Sequence, residues 1–200
     1  MGDASPLRVE AVHKRYAVQP VLEDINFSLV PGEVFGLIGL NGAGKTTLIK
    51  ILLDLIQAEA GEARIFDVPC TQIDARRHSS YLPEKFQPSR YLTGYEYLDL
   101  TLSYYGRKLD KSRAQEVARR LDLAESALPQ RVGAYSKGMG QKLGLLGAFM
   151  SGSPLLVLDE PMSGLDPKAR ICLKDILLSE KKQGRTIFFS SHILSDIDEI

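Results

Sequence analysis

Tryptophan is absent from this 200-residue sequence, histidine occurs only 3 times and cysteine only 2 times. Cys70 and Cys172 stand far apart and form no CxxC pair. That excludes a disulfide framework and a cysteine-built zinc site, and makes a reducing compartment the default. Net charge is missing as well, because 25 Lys and Arg balance 25 Asp and Glu. No bulk basicity is available to hold a nucleic acid, and none is expected as a partner. No apolar run approaches the roughly 18–20 residues that a membrane helix needs. The polar stretch from Met1 to Glu10, with its scattered charges, does not read as a signal peptide. A soluble, cytoplasmic protein is the expectation. What is present is ordinary: 44% hydrophobic and 25% charged residues suit a chain that buries a core. The length suits one domain, or one domain with an inserted subdomain.

Short apolar runs alternate with helical patterns, which predicts an α/β fold with a mainly parallel sheet. The first third is β-rich. Leu7–Tyr16 and Val21–Val30 alternate apolar and polar residues, Pro31-Gly32 supplies a turn, and Glu33–Gly39 is a short apolar strand. A Gly-rich loop leads into a helix expected over Lys45–Leu55, and further strands are expected at Gly61–Asp67 and Ser80–Leu82. From Thr93 to Ser151 the pattern turns helical. Tyr95, Leu98, Leu102 and Tyr105 recur at helical spacing, Lys111–Leu123 is a charged amphipathic helix and Gly138–Met150 another. This reads as a helical insertion. Strand character returns at Leu155–Leu158 and Ile187–Ser190, with the helix Lys168–Lys182 between them as a βαβ unit.

The first chemical signal is Gly39-Leu40-Asn41-Gly42-Ala43-Gly44-Lys45-Thr46-Thr47, which fits G-x-x-x-x-G-K-[ST] between a strand and a helix. Glycines let successive N–H groups point inward at phosphate oxygens. Lys45 adds a point charge for the β- and γ-phosphates, Thr46 offers its hydroxyl to Mg²⁺, and the helix N-terminus adds its dipole. A nucleoside triphosphate is the expected ligand.

The second signal is Leu155-Leu156-Val157-Leu158-Asp159-Glu160, an apolar strand that delivers two carboxylates to its C-terminal end. After a phosphate loop, Asp159 is placed to hold Mg²⁺, directly or through water, and Glu160 to polarise the attacking water. Standing alone, such a pair could simply cap the next helix.

With these motifs in order, the chain resembles the nucleotide-binding domain of the ATP-binding cassette (ABC) ATPases, from about Leu7 to Ile200. Tyr135-Ser136-Lys137-Gly138-Met139 resembles the family's signature (Leu-Ser-Gly-Gly-Gln), keeping Ser136 and Gly138 while Lys137 and Met139 depart from it. The YSKGM form is similar to exporter-type subunits. Read as bare sequence, the same residues are a Ser N-cap and a flexible glycine.

The resemblance implies further roles. Tyr16 corresponds to the aromatic that stacks on adenine, although a tyrosine at a strand end is often plain core. Ser163-Gly164-Leu165-Asp166 corresponds to the loop that contacts the partner subunit's site, and equally fits a turn plus a helix cap. His192 corresponds to the switch histidine on the γ-phosphate. Glu84 stands where the family usually places a glutamine that reaches Mg²⁺; a carboxylate there can still ligate the metal. Gln87, three residues on, is a weaker substitute. His13 and His78 receive no role. Tyr91, Tyr95, Tyr97, Tyr104 and Tyr105 fall where the family forms a groove for a helix of the membrane subunit.

The implied fold is a phosphate-loop NTPase core with an N-terminal antiparallel β subdomain and an α-helical subdomain inserted at about residues 85–152. The implied function is ATP hydrolysis with Mg²⁺ that energises a membrane transporter, with export as the direction. The implied partners are a membrane-spanning permease subunit and a second ABC ATPase domain, identical or different, closing head-to-tail around two ATP molecules. The implied place is the cytoplasmic face of the membrane. Two other readings are a soluble ABC ATPase acting on ribosomes or DNA and a nucleotide-binding regulator that does not hydrolyse. Zero net charge and the lack of a basic extension count against the first, and Glu160 with His192 against the second. The sequence stops at Ile200, about two turns after Ser191 in an expected helix, so a truncated C-terminus is anticipated.

Overall fold

The computed structural model describes residues 4–196. Two sheets are built in succession. Strands β1 (Leu7–Tyr16), β2 (Gln19–Leu29), β4 (Ala60–Ile65) and β5 (Val68–Pro69) form an antiparallel sheet in the order β2-β1-β4-β5. Strands β3 (Val34–Ile38), β6 (Ser79–Leu82), β7 (Leu155–Leu158) and β8 (Thr186–Ser191) form a parallel sheet in the order β3-β8-β7-β6. Their sequences differ as their burial does. All residues of β7 and β8 are buried, as befits parallel strands covered on both faces, whereas β1 alternates buried and exposed positions at its start.

Helix α1 (Lys45–Leu52) follows β3 through the Gly-rich loop, and the four-residue α2 (Ile73–Arg76) precedes β6. Between β6 and β7 lie α3 (Gly94–Ser103), α4 (Lys111–Arg120) and α5 (Lys137–Met150), with 3₁₀ turns at Glu125–Ala127 and Val132–Ala134. Helix α6 (Pro167–Lys182) joins β7 to β8, which are parallel neighbours, as expected of a βαβ unit. A 3₁₀ turn at Leu194–Asp196 follows β8, and the rest of the helix expected toward Ile200 falls on 197–200, outside the described residues.

Three boundaries differ from expectation for identifiable reasons. Helix α1 stops at Leu52 because Asp54 takes φ 55° and the N–H of Leu55 closes onto Lys50 O at 2.8 Å, with Asp54 N on Ile51 O at 3.0 Å. This is the Schellman closure, with aspartate in place of glycine. The same closure ends α4 at Arg120: Asp122 has φ 54° and Leu123 N reaches Ala118 O at 2.9 Å. There the carboxylate is put to use, accepting from Lys142 Nζ at 3.2 Å and Lys168 Nζ at 2.5 Å. The strand expected through Asp67 breaks at Phe66 and Asp67, both at positive φ, and turns back as β5 with Ile65 opposite Val68.

Buried side chains form two clusters. One lies under α3–α6 and includes Leu98, Leu143, Leu146, Leu173 and Phe189; the other joins the two sheets and α1 through Leu7, Ile49, Leu52, Val157 and Phe188. Phe27 of β2 stacks on Phe35 of β3 at 5.1 Å, and both stack on Phe188 of β8 at 5.8 and 5.7 Å. The aromatic stack fixes the antiparallel sheet against the parallel one. It thereby fixes the strand ends that carry the site.

Candidate active site

All four parallel strands deliver their C-terminal ends to one edge, where open α/β sheets place ligands. From β3 comes the Gly-rich loop, from β6 Glu84, from β7 Asp159 and Glu160, and from β8 His192. Gly39 N reaches Ser191 O at 3.2 Å, so the loop leaves β3 still tied to β8. Gly44 is the N-cap of α1 at φ 91°, and a Cβ there would meet Val21 O at 2.8 Å, so only glycine fits. Helices α3, α4, α5 and α6 are capped by the side chains of Thr93, Asp110, Ser136 and Asp166. Helix α1 has no side-chain cap and no acid in its first turn. Its leading N–H groups are therefore left for an anion.

Lys45, the first residue of α1, curls over this loop. Its ammonium donates to Gly39 O at 2.6 Å and Leu40 O at 3.2 Å, and lies 3.2 Å from Glu160 Oε1. Glu160 is 7% exposed and takes φ 49°, a left-handed conformation that costs a non-glycine residue roughly 1–2 kcal/mol. That turn sends the two carboxylates apart. Asp159 accepts from Thr46 Oγ1 at 2.9 Å, whereas Glu160 Oε2 lies 2.7 Å from Nδ1 of His192. Although Glu160 Oε1 is within ion-pair range of Lys45, no donor is aligned on it, so this buried oxygen has open lone pairs. Such an atom beside a phosphate loop suits a water or a ligand hydroxyl.

Burial pushes the Asp159 carboxyl above its ordinary range, opposed by the hydrogen bonds from Ser190 and Thr46. The same burial, with Asp159 nearby, pushes the Tyr81 phenol up to about 12. A cation held at Asp159 would relieve this cost. Among the described residues no group of three or more His, Cys, Asp or Glu forms a metal cage. Mg²⁺ does not require one, since it binds through one or two carboxylates together with substrate phosphates and waters. The Thr46 hydroxyl and the Asp159 carboxylate fit that pattern, and Glu84, close enough for its charge to reach Asp159, lines a cavity together with Thr46.

That cavity measures about 290 Å³ and is lined by Asn41, Gly42, Gly44, Lys45, Thr46, Thr47, Glu84, Lys85 and Glu160. The structure thus gathers most of the residues singled out in the sequence. Gly39 takes part through its carbonyl on Lys45, and Ala43 closes the loop through its N–H on Leu40 O at 3.1 Å. Tyr16 stands apart. It is half-exposed at the end of β1, with Lys14 Nζ 5.7 Å from its ring centroid, and does not line the cavity.

Ser136 and Gly138 do not line it either. Ser136 caps α5 by accepting from Met139 N at 3.2 Å and faces an adjoining groove of about 910 Å³, which shares Glu84 and Lys85 with the cavity and also holds Gln87 and Tyr91. Gly138 packs on the loop at Ser163–Asp166, since a Cβ on it would meet Gly164 O at 3.1 Å. Asp166 caps α6 by accepting from Ala169 N at 2.9 Å. The tyrosines divide. Tyr97 packs edge-on to Phe86 at 5.5 Å and Tyr95 accepts from Gln115, both against the core. Tyr104 and Tyr105 line a third cavity of about 610 Å³ with Arg76, Arg77 and Arg107, at the N-terminal ends of β6 and β7.

Sequence reasoning missed Lys85, which lines the phosphate-loop cavity, and Ser190, which bonds to both members of the carboxylate pair. Nothing local marks a serine inside the apolar run of β8. Its position beside the strand that ends in Asp-Glu was the available signal.

The comparisons with known proteins follow the same lines. The ABC transporter family model matches residues 22–163. An uncharacterised ABC transporter ATP-binding protein of Synechocystis sp. is 40% identical over 182 residues, which cover 90% of this chain and 51% of the relative. A Nod factor export ATP-binding protein I of Burkholderia thailandensis is 34% identical over 200 residues, covering 98% of this chain and 66% of the relative. The chain therefore spans about half to two thirds of the length of these relatives. A solved ATP-binding subunit of an ABC transporter superposes with a TM-score of 0.85 at 35% identity, covering 96% of this chain and 81% of that one. By family model, relatives and fold, this chain belongs to the ABC transporter family, among its ATP-binding proteins.

Proposed function

We propose that this chain binds and hydrolyses ATP and thereby energises a membrane transporter, with export as the direction. The observation that carries the proposal is the division of labour at the end of β7. Asp159 is tied to Thr46, and Glu160 is held between Lys45 and His192 with its buried Oε1 accepting no hydrogen bond.

The chain's own residues then act as follows. The uncapped start of α1 and the loop amides receive the β- and γ-phosphates, and the Lys45 ammonium leaves its loop carbonyls for phosphate oxygens. Thr46 and Asp159, with Glu84 beside them, would hold Mg²⁺, which would offset phosphate charge. Glu160 Oε1 orients the attacking water, and Oε2 keeps His192 at hand for the γ-phosphate. Tyr16 supplies the adenine-stacking face from the end of β1.

Ser136 and Gly138 lie outside this cavity, so on this reading they serve the nucleotide of a second ABC ATPase domain in a head-to-tail pair. The loop at Ser163–Asp166, packed on Gly138, lies at that contact. Residues 1–200 make one ABC ATPase domain with the helical subdomain at about 85–152. No helix among the described residues is long and apolar enough to cross a membrane. On this reading the membrane path belongs to a permease subunit, with this chain peripheral on its cytoplasmic face. The export relative and the YSKGM signature support the direction.

The reaction is tested by phosphate release from ATP. The coupling is tested by purifying the full-length protein with Glu160→Gln from its own cells, from membranes and from cytosol. A stoichiometric polytopic membrane protein is the expected companion. Ribosomes, nucleic acid or no companion would overturn the transporter reading.

A further inference from the structure

Ser190 lies in the middle of the parallel sheet, on β8, and is fully buried. Its hydroxyl donates to Asp159 Oδ1 at 2.6 Å and accepts from the backbone N–H of Glu160 at 2.9 Å. Each bond answers a structural need. Asp159 N continues the sheet by pairing with Leu82 O of β6 at 2.8 Å. The next N–H, that of Glu160, points the opposite way, toward β8, in a buried region where an unpaired amide costs about 1–3 kcal/mol. Ser190 supplies its acceptor. The same oxygen, through its proton, fixes Asp159 Oδ1, so that Oδ2 is the oxygen turned to Thr46.

The geometry points to Ser190 as a positioning residue for the reaction: one hydroxyl sets Asp159 toward the metal side and holds the turn that sets Glu160 toward the water side. This inference rests on the ATPase reading above and adds to it a residue outside the phosphate loop and the Asp-Glu pair. The hydroxyl does not line the phosphate-loop cavity. It acts through the two carboxylate residues, and therefore through the orientation of both at once.

The test uses the full-length chain as wild type, Ser190→Ala, Ser190→Cys and Ser190→Thr. Three quantities are read: the Mg²⁺ concentration that half-saturates binding of a fluorescent ATP analogue, binding of that analogue in EDTA, and kcat with KM for ATP. Ser190→Ala is expected to raise the half-saturating Mg²⁺ about ten-fold and to lower kcat about 10- to 100-fold, the factor of one hydrogen bond to a charged group. Binding in EDTA and KM should stay within about two-fold, because the phosphate loop is untouched. Ser190→Thr, which keeps the hydroxyl, should restore most of both losses.

A Ser190→Ala chain with wild-type Mg²⁺ dependence and kcat overturns the inference. So does an equal loss in Ser190→Thr, which is the mark of a packing defect. Should Ser190→Ala fail to fold, Ser190→Cys fills the same space with a weak donor, and wild-type behaviour in it overturns the inference likewise. A wild-type chain that neither binds ATP nor releases phosphate overturns the ATPase reading, and this inference with it.

Discussion

Replacing Arg185 with methionine should destabilise the protein by about 3–5 kcal/mol, the cost of breaking one side of a buried ion pair. The guanidinium lies where three segments meet. Its Nη1 is 2.6 Å from Glu180 Oε2 near the end of α6 and donates to Phe149 O of α5 at 2.8 Å. Nη2 reaches Ala148 O at 3.3 Å, and Nε reaches Ser153 O, just before β7, at 2.9 Å. Burial pulls the Arg185 pKa down, and the Glu180 carboxylate opposes it. Methionine fills similar space but leaves Glu180, only 7% exposed, as a carboxylate without its cation, and three carbonyls without that donor. At about 2–4 °C per kcal/mol for a chain of this size, Tm should fall by about 6–20 °C.

The assay is reversible urea unfolding followed by circular dichroism, run as a double-mutant cycle with Glu180→Met. The double variant should recover at least about 2 kcal/mol relative to Arg185→Met, because the orphaned charge is gone. A single-variant cost under about 1 kcal/mol, or strict additivity in the cycle, would mean that the substitution orphans no buried charge. The site has a stake in this, since the same guanidinium ties α5, whose first turn carries Gly138, to the sheet that carries Asp159 and Glu160.

Other outcomes follow from single side chains. Lys45→Ala should abolish measurable binding of MgATP while the fold is kept, since the loop then lacks its one ammonium; tight binding in titration with a fluorescent ATP analogue would contradict this. The Cys70 thiol is pushed up to about 12 by burial, so its thiolate is scarce at about pH 8, whereas Cys172 is partly exposed. Ellman's reagent should therefore react readily with only Cys172 in the native protein and with both thiols in denaturant, and rapid labelling of Cys70 in the native state would count against the packing described.

Where the sequence was legible, the signal was local and tied to one mechanism. The phosphate loop could be read because Gly44 must take positive φ, Lys45 must follow and a helix must start there. The apolar run ending in Asp159-Glu160 could be read because a strand buried on both faces has no polar positions to spare. The sequence around Ser136 and Asp166 fits both a site role and a helix cap, and the caps are what their hydroxyl and carboxylate form within this chain.

What escaped was set by tertiary partners. Asp54 and Asp122 end helices in a role that usually signals itself by glycine, and Asp122 does so where two lysines reward a carboxylate. The four residues of α2 show no period to detect. The tyrosine stripe read as one face but divides between core and surface, because Tyr95 and Tyr97 lie on α3 whereas Tyr91, Tyr104 and Tyr105 lie beyond its ends. Ser190 acts across 31 residues of sequence on Asp159, and no window along the chain joins them.

The most direct measurement compares wild type and Glu160→Gln, each as the full-length chain, for binding of MgATP and for phosphate release under the same conditions. Equal binding is expected, with a turnover at least about 100-fold lower in the variant, the scale of losing a catalytic base. Near-wild-type phosphate release from Glu160→Gln would contradict that role.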